Sequence, residues 1–450
     1  MPTSPASSAS DAVAVPHAAS CPDCGGALTD DPRFIRWCQA CEWNAHPGAT
    51  GATEARSRGD RFQRRFNRAT EERLFRRVTE GGSRPRTLDK VSVAAYAFAG
   101  LVHLAAVAVA GYAVYALTLP YLAMRCLGVL LLVISYFARP RFGPSRKALK
   151  RMPLVDRGAA PALYALTDRV ARELGTTPPA LIAVVDGYTA SYSRIGLRRR
   201  VLLRLGLPLW ESLTPEQRVA LLGHELGHGV NGDSRRGLWV GTALGELAQW
   251  YSILQPGRDR LIHSGRASAN TLLAFGDRVA NWLLAGFAEV VLLAHRLLRR
   301  LTALSGRRAE YLADALAVRT GGTDATAGLL QALTLVSSFA HFNERYQRRA
   351  RQAARQARSG AADRPAQLDY WDELRAYVSS VPQSERARRL LVSRLDDSVV
   401  DSTHPPTHLR LAYVEQLPAA GPAVVLSAAE AAAIEAELAP MRTAFVRDLP

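Results

Sequence analysis

The hydrophobic pattern along the chain is most extreme over residues 91–117, 27 positions without a charged side chain. That exceeds the roughly 20 residues a helix needs to cross a bilayer at ~1.5 Å per residue. Leu119-Pro120-Tyr121 interrupts it, and a second apolar run over 121–138 is broken only by Arg125, whose long side chain can snorkel to an interface. The two runs predict a transmembrane helical hairpin over 91–138. A buried hairpin of a soluble domain is the alternative, and such a hairpin seldom needs so long an uncharged run. Arg84, Arg86 and Lys90 precede the first run; Arg139, Arg141, Arg146, Lys147, Lys150 and Arg151 follow the second. By the positive-inside rule both flanks are cytoplasmic and the connector at 118–121 is outside. His103 and Cys126, within the runs, read as packing residues.

Beyond residue 153 the periods mix. A helical stretch over 159–174 is followed by the short apolar run Leu181-Ile-Ala-Val-Val185, the turn Asp186-Gly187, and a second strand-like run over 201–207. Helical patterns dominate the remainder, and the arginine-rich segment at 345–364 reads as a solvated helix or loop. Two further apolar stretches, 237–254 and 279–294, are short and each carries a glutamate, Glu246 and Glu289, which argues against insertion. They come as a pair, so the chain has two spans or four, with two favoured.

The chain has 450 residues, 48% hydrophobic and 22% charged, enough for a large core and several modules. A wholly disordered chain is excluded. Mean hydropathy is −0.05, an average of a polar, arginine-rich sequence and a few very apolar stretches. The formal charge is +17, nearly all of it arginine, which favours anionic neighbours such as lipid head groups or nucleic acid. Residues 1–18 are rich in Ala, Ser and Pro, lack the n-region and h-region of a signal peptide, and read as a disordered lead.

Four of the five cysteines share one segment. Cys21-Pro-Asp-Cys24 and Cys38-Gln-Ala-Cys41 are separated by thirteen residues, the spacing of two knuckles that present four thiolates to one tetrahedral zinc. This predicts a zinc ribbon over 19–48. Two disulfides or a redox pair are the competing reading, weakened by a reducing cytoplasm. An arginine-rich linker follows over 49–90. Ribbon plus arginines can meet nucleic acid, a protein partner or anionic lipid; the juxtamembrane position favours lipid and argues against nucleic acid.

The chemistry concentrates later. Thr214-Pro-Glu-Gln217 is a capping box with proline in the first turn, and an apolar helix follows with Gly229 as its expected stop. On it sit His224-Glu225-Leu-Gly-His228. Two His four apart lie about 40° apart around a helix, so both imidazoles leave one face one turn apart and can grip one zinc. Glu225 stands beside the first ligand as a candidate base. A third ligand is needed. Glu310 and Asp314, four apart on a further helix, offer one carboxylate for metal and one to fix an imidazole tautomer. Finally Ser402-Thr-His404-Pro-Pro-Thr-His408-Leu-Arg410 presents two His and one Arg suited to an oxyanion.

These segments, in this order, resemble the HtpX-like and CAAX-prenyl type membrane zinc metallopeptidases: the His-Glu-x-x-His helix, then Arg307-x-x-Glu310-x-x-Ala313-Asp314, then Ser402-Thr-His404-Pro followed by Arg410. The resemblance covers about 154–415 and, more loosely, the preceding hairpin. It implies a mainly α (α+β) fold: a membrane-anchored, gluzincin-type metallopeptidase domain with a small sheet, over 153–450. It implies that His224, His228 and Glu310 bind the catalytic zinc, that Glu225 is the base, that Asp314 supports a ligand, and that His404 and Arg410 help the substrate carbonyl. The chain departs from the family at Gly306, often Ser, and at Thr189-Ala190, where the family has Asn-Ala on the substrate-side edge strand. The expected function is zinc endopeptidase action on protein or peptide substrates at the cytoplasmic face of the cell membrane. A member that binds unfolded or membrane polypeptides without cutting them is the alternative; a nucleic-acid regulator would rest on the ribbon alone.

Overall fold

In the computed structural model, described for residues 20–47, 69, 71–80, 90–139, 146–196, 198–230, 233–254, 271–358, 369–395 and 404–449, the chain is mostly helical around one small sheet. The expected lead at 1–18, most of the 49–90 segment and Ser402 lie outside these residues. Helix α1 spans 71–80. The long apolar run forms α2 (Lys90–Thr118) and the second run forms α3 (Leu122–Ala138), packed back against it. Gly128 permits that contact, since a Cβ there would fall 2.8 Å from the carbonyl oxygen of Ala113. Among the described residues, α2 is the one single helix long and apolar enough to cross a membrane; α3, at 17 residues, is shorter.

After α4 (Arg146–Arg151) and β1 (Leu154–Val155), α5 (Pro161–Leu174) starts on a proline and ends at Gly175 in the left-handed conformation, φ 66°, where glycine pays no Cβ penalty. The strand expected at 181–185 is β2 (Leu181–Val185), and the one expected at 201–207 is β4 (Arg200–Gly206). Between them lies β3 (Ala190–Ile195), which the hydrophobic pattern did not predict and which falls where the family resemblance put an edge strand. The sheet order is β1-β2-β4-β3, with β2 parallel to β4 and both end strands antiparallel to their neighbours. Ile182, Val184, Leu203 and Leu205 face the main core with α5; Ala183, Leu202 and Ile195 face the other side.

β4 runs through Gly206 into α6 (Leu207–Glu211) and then α7 (Pro215–Val230), which carries the His pair and continues one residue past the expected stop at Gly229. The capping box is present: the Gln217 side chain accepts from the Thr214 N–H, and Thr214 Oγ1 accepts from the Gln217 N–H. The two short apolar stretches fall in α8 (Asp233–Leu254) and in α9 (Thr271–Gly321), one helix of 51 residues. α10 (Thr323–Leu333), α11 (Val336–Arg358), α12 (Tyr370–Ser379), α13 (Gln383–Leu395), α14 (Thr407–Gln416) and α15 (Ala428–Arg447) complete the chain. Of the arginine-rich segment at 345–364, residues through 358 are helical.

Candidate metal centre

The site forms where α7 crosses α9. Three glycines lie at the crossing: a Cβ on Gly223 would meet Thr320 Oγ1 at 1.9 Å, one on Gly227 would meet the Cα of Ala313 at 3.3 Å, and one on Gly321 would meet the backbone of Ala220 at 2.7 Å. With no side chain between them, the helix backbones approach closely enough for α7 imidazoles to meet α9 carboxylates. Sequence reasoning passed over these glycines, although Gly223 and Gly227, four apart and flanking the His pair, are the kind of small-residue stripe that marks close helix contact.

His224, Glu225, Glu310, Asp314 and Arg410 are all buried, whereas the His228 side chain retains 19% exposure. The His224 and His228 rings sit 5.0 Å apart, near perpendicular. His224 Nε2 lies 3.5 Å from Glu310 Oε2, and His228 Nε2 lies 3.6 Å from Glu310 Oε1; one ligand atom from each residue falls within 4.8 Å of the others. Bonds of about 2.0–2.2 Å to a tetrahedral zinc separate neighbouring N and O donors by roughly 3.3–3.5 Å, so two imidazoles and one carboxylate fit the ion in chemistry and spacing. The second nitrogen of His224, Nδ1, is 3.0 Å from Asp314 Oδ1, the outer contact that fixes a ligand tautomer.

The electrostatics are those of a closed network. Burial disfavours the charged imidazolium of His224, but the Asp314 and Glu310 carboxylates more than offset this and raise its pKa to about 10. Burial likewise raises the Glu310 carboxyl, and the His224 and His404 imidazoles with the Arg410 guanidinium overcome it, holding the group well below the usual range. Arg410 is buried against the carboxylates of α9. Its Nε and Nη2 donate to the two oxygens of Asp314 at 2.8 and 2.7 Å, with Nη1 3.7 Å from Glu310. His404 is 58% exposed, with Nδ1 2.7 Å from Glu310 Oε2, and lies at the mouth. His408 points elsewhere: its Nδ1 and its backbone N–H both meet Ser393 Oγ at 3.1 Å.

The four cysteines also converge. Cys21 and Cys41 Sγ are 3.5 Å apart, as are Cys24 and Cys38, and all four lie within 4.8 Å. Zinc–sulfur bonds of about 2.3 Å require S···S distances near 3.8 Å, so the cluster suits one tetrahedral ion. Backbone N–H groups of Cys41 and Ala40 bring the Cys38 thiol down to about 7, while burial and the neighbouring thiols push Cys41 up to about 12. Glu42 and Asn44, at φ 63° and 56°, turn the second knuckle, and Gly25 at φ 71° turns the first.

The profile of peptidase family M48 matches residues 161–417. The chain is 26% identical over 264 residues to "Protease HtpX homolog" of Pyrobaculum calidifontis, covering 57% of this chain and 68% of that protein. It is 26% identical over 168 residues to "Protease HtpX" of Pseudomonas fluorescens and 27% over 173 residues to that of Pseudomonas savastanoi, covering 37% and 38% of this chain. The matches span about half the length of these Pseudomonas relatives, 53% and 55%. The M48 match takes in α5 through α14, with α7, strands β2 to β4 and the carboxylate end of α9 inside it, and covers more than half of the chain: it belongs to peptidase family M48.

Proposed function

We propose that the protein is a membrane-bound zinc endopeptidase in which His224, His228 and Glu310 hold the ion and Glu225 is the general base. The observation that carries this reading is the meeting of those three donors within 4.8 Å at a helix crossing, with Asp314 on the outer nitrogen of His224. When bound, zinc polarises the scissile carbonyl and brings the pKa of a water from 15.7 to about 7. Glu225, adjacent to His224 and buried, takes the proton of the attacking water and delivers it to the leaving amine, general acid–base work typically worth about 10²–10⁴ in rate. Asp314 orients His224 and is itself neutralised by Arg410, which keeps a third carboxylate from repelling Glu310 and Glu225. His404, exposed beside Glu310, stands where it can donate to the developing oxyanion.

Among the described residues β3 pairs with β4 on one side only and ends the sheet. Its free edge lies beside α7 and offers backbone groups to an extended polypeptide, so recognition rests on main-chain pairing and accepts unfolded segments of varied sequence. Casein cleavage in detergent tests the reading. A chelator that strips the catalytic ion should abolish cleavage, and zinc should restore it. Undiminished cleavage by protein shown to hold no ion at His224 and His228 would overturn it.

We further propose that α2 and α3 cross the bilayer and that α8 with the amino-terminal half of α9 forms a second crossing pair, against the two-span preference from sequence. α2, α8 and α9 pack through Ala95, Ala99, Val240, Ala243 and Leu298, while Leu101, Val107, Trp282, Phe287 and Leu293 cover the outside. Glu246, which counted against insertion, is buried and 3.0 Å from His103 Nδ1, so its carboxylate faces a partner within the bundle rather than lipid. Glu289 faces outward. Even pairing leaves His228 and Glu310 on the same side.

A further inference from the structure

The amino-terminal ribbon is not a free appendage. Arg33 donates to Ser380 Oγ and the Ser380 carbonyl at 2.7 and 2.9 Å, in the turn between α12 and α13, and Phe34 packs against the main core. From α13, Arg388 donates to the Ala45 carbonyl at 2.8 Å and Arg394 pairs with Glu42. Next to Arg394 is Ser393, whose hydroxyl accepts from the backbone N–H of His408 in the first turn of α14. Two residues further along α14 is Arg410, and Arg410 grips Asp314. Contacts therefore run unbroken from the second cysteine knuckle through α13 and the start of α14 to the metal-site carboxylates.

The helix over 71–80 makes the complementary contact. Its Glu71, Leu74, Phe75 and Val78 recur at i, i+3, i+4 and i+7, one face of a helix. That face lies on α9 and α14: buried Glu71 pairs with buried Arg307, one turn before Glu310, and Leu74, Phe75 and Val78 cluster with Tyr311 and Tyr413. Tyr311 follows Glu310 in sequence, and its ring meets that of Tyr413, 5.3 Å away on α14. The sequence had assigned this segment to a polar linker; the stripe is short and set among arginines.

We infer that the ribbon and the 71–80 helix together are an internal brace of the peptidase site, the ribbon holding α13 and the helix holding α9 to α14, so that the ribbon's fold governs turnover without touching substrate. The inference rests on the metallopeptidase reading above. Arg33, Phe34, Glu71 and Arg388 are positioning residues under it. A brace that aligns groups for the reaction should alter kcat while leaving KM and the ion count nearly unchanged, whereas contacts that merely add stability should lower the melting temperature and leave kcat at 25 °C intact.

The test uses the full chain in detergent, zinc-loaded, with casein as substrate. Phe34→Ala combined with Arg388→Ala should keep both ions, lower kcat about tenfold, the equivalent of ~1.4 kcal/mol, and leave KM within about twofold. Phe75→Ala should do the same from the other side. Hydrogen exchange should quicken over 404–416 in both variants and stay unchanged in Pro161–Leu174. Wild-type exchange supplies an arm that needs no variant: 20–47, 383–395 and 404–416 should open together. Unchanged kcat in folded variants, or a ribbon that opens independently of 404–416, overturns the brace. A zinc-loaded wild type that cleaves nothing instead sinks the peptidase reading, and the exchange data then judge the brace alone.

Discussion

Gly223→Ala sets two effects of opposite sign against each other. In a helix interior, replacing Gly by Ala ordinarily stabilises by about 1 kcal/mol, because Gly loses more backbone freedom on folding. At Gly223 the added Cβ would lie 1.9 Å from Thr320 Oγ1 and 3.1 Å from Thr320 Cβ and Ala317 Cα. Opening the first contact to the ordinary 3.4 Å requires a shift of about 1.5 Å. Rotating Thr320 away would give up its hydrogen bonds to the Leu316 and Ala317 carbonyls and would leave the 3.1 Å contacts in place. Overpacking of this kind costs about 1–3 kcal/mol, so the net expectation is a loss of up to ~2 kcal/mol. The functional effect should be larger. Metal donors tolerate about ±0.2 Å, and parting α7 from α9 moves His224 and His228 away from Glu310. Thermal melts in detergent, catalytic zinc content and casein cleavage read all three consequences. Thr320→Ala in the same chain removes the shortest contact and should restore much of the zinc binding. Gly306→Ala, on α9 with open space around it, should gain the ordinary ~1 kcal/mol. If Gly223→Ala is as stabilising as Gly306→Ala and retains full zinc, the close crossing is not what assembles the site.

Asp314→Asn leaves Arg410 buried without its anionic partner, and His224 and Arg410 with one amide oxygen in place of two carboxylate oxygens; stability should fall by about 3–5 kcal/mol and zinc affinity by about 10–100-fold, measured by denaturation and by competition with a chelating dye. His228→Ala should lose the catalytic ion while the four-cysteine cluster keeps its own, so metal analysis should drop from two ions per chain to one. A topology reporter at Arg266 should read external if α8 and the first half of α9 cross the bilayer; a cytoplasmic reading leaves two spans.

The His pair and its helix were legible because a capping box, an apolar stripe and a four-residue spacing all indicated the same element. The strand at 181–185 was legible from its uniform apolar run between turns. β3 was not: Ala-Ser-Tyr-Ser-Arg-Ile has the polar composition an edge strand tolerates, and nothing local distinguishes it from a loop. The continuity of α9 was hidden because its apolar part and its carboxylate part read as separate segments, although no proline divides them. The bidentate contact of Arg410 with Asp314 was not legible, since it depends on two helices almost a hundred residues apart in sequence. The contact of Glu246 with His103 was hidden for a similar reason, since the two come from distant helices.

Glu225→Gln, compared with wild type at matched catalytic zinc, tests the central claim most directly. The carboxylate adjoins the ligands without being one, so the variant should fold, keep both ions and bind casein as wild type does, while cleavage falls by about 10² or more. Equal cleavage by the two proteins, or zinc loss on this substitution alone, would contradict the assignment of Glu225 as the base.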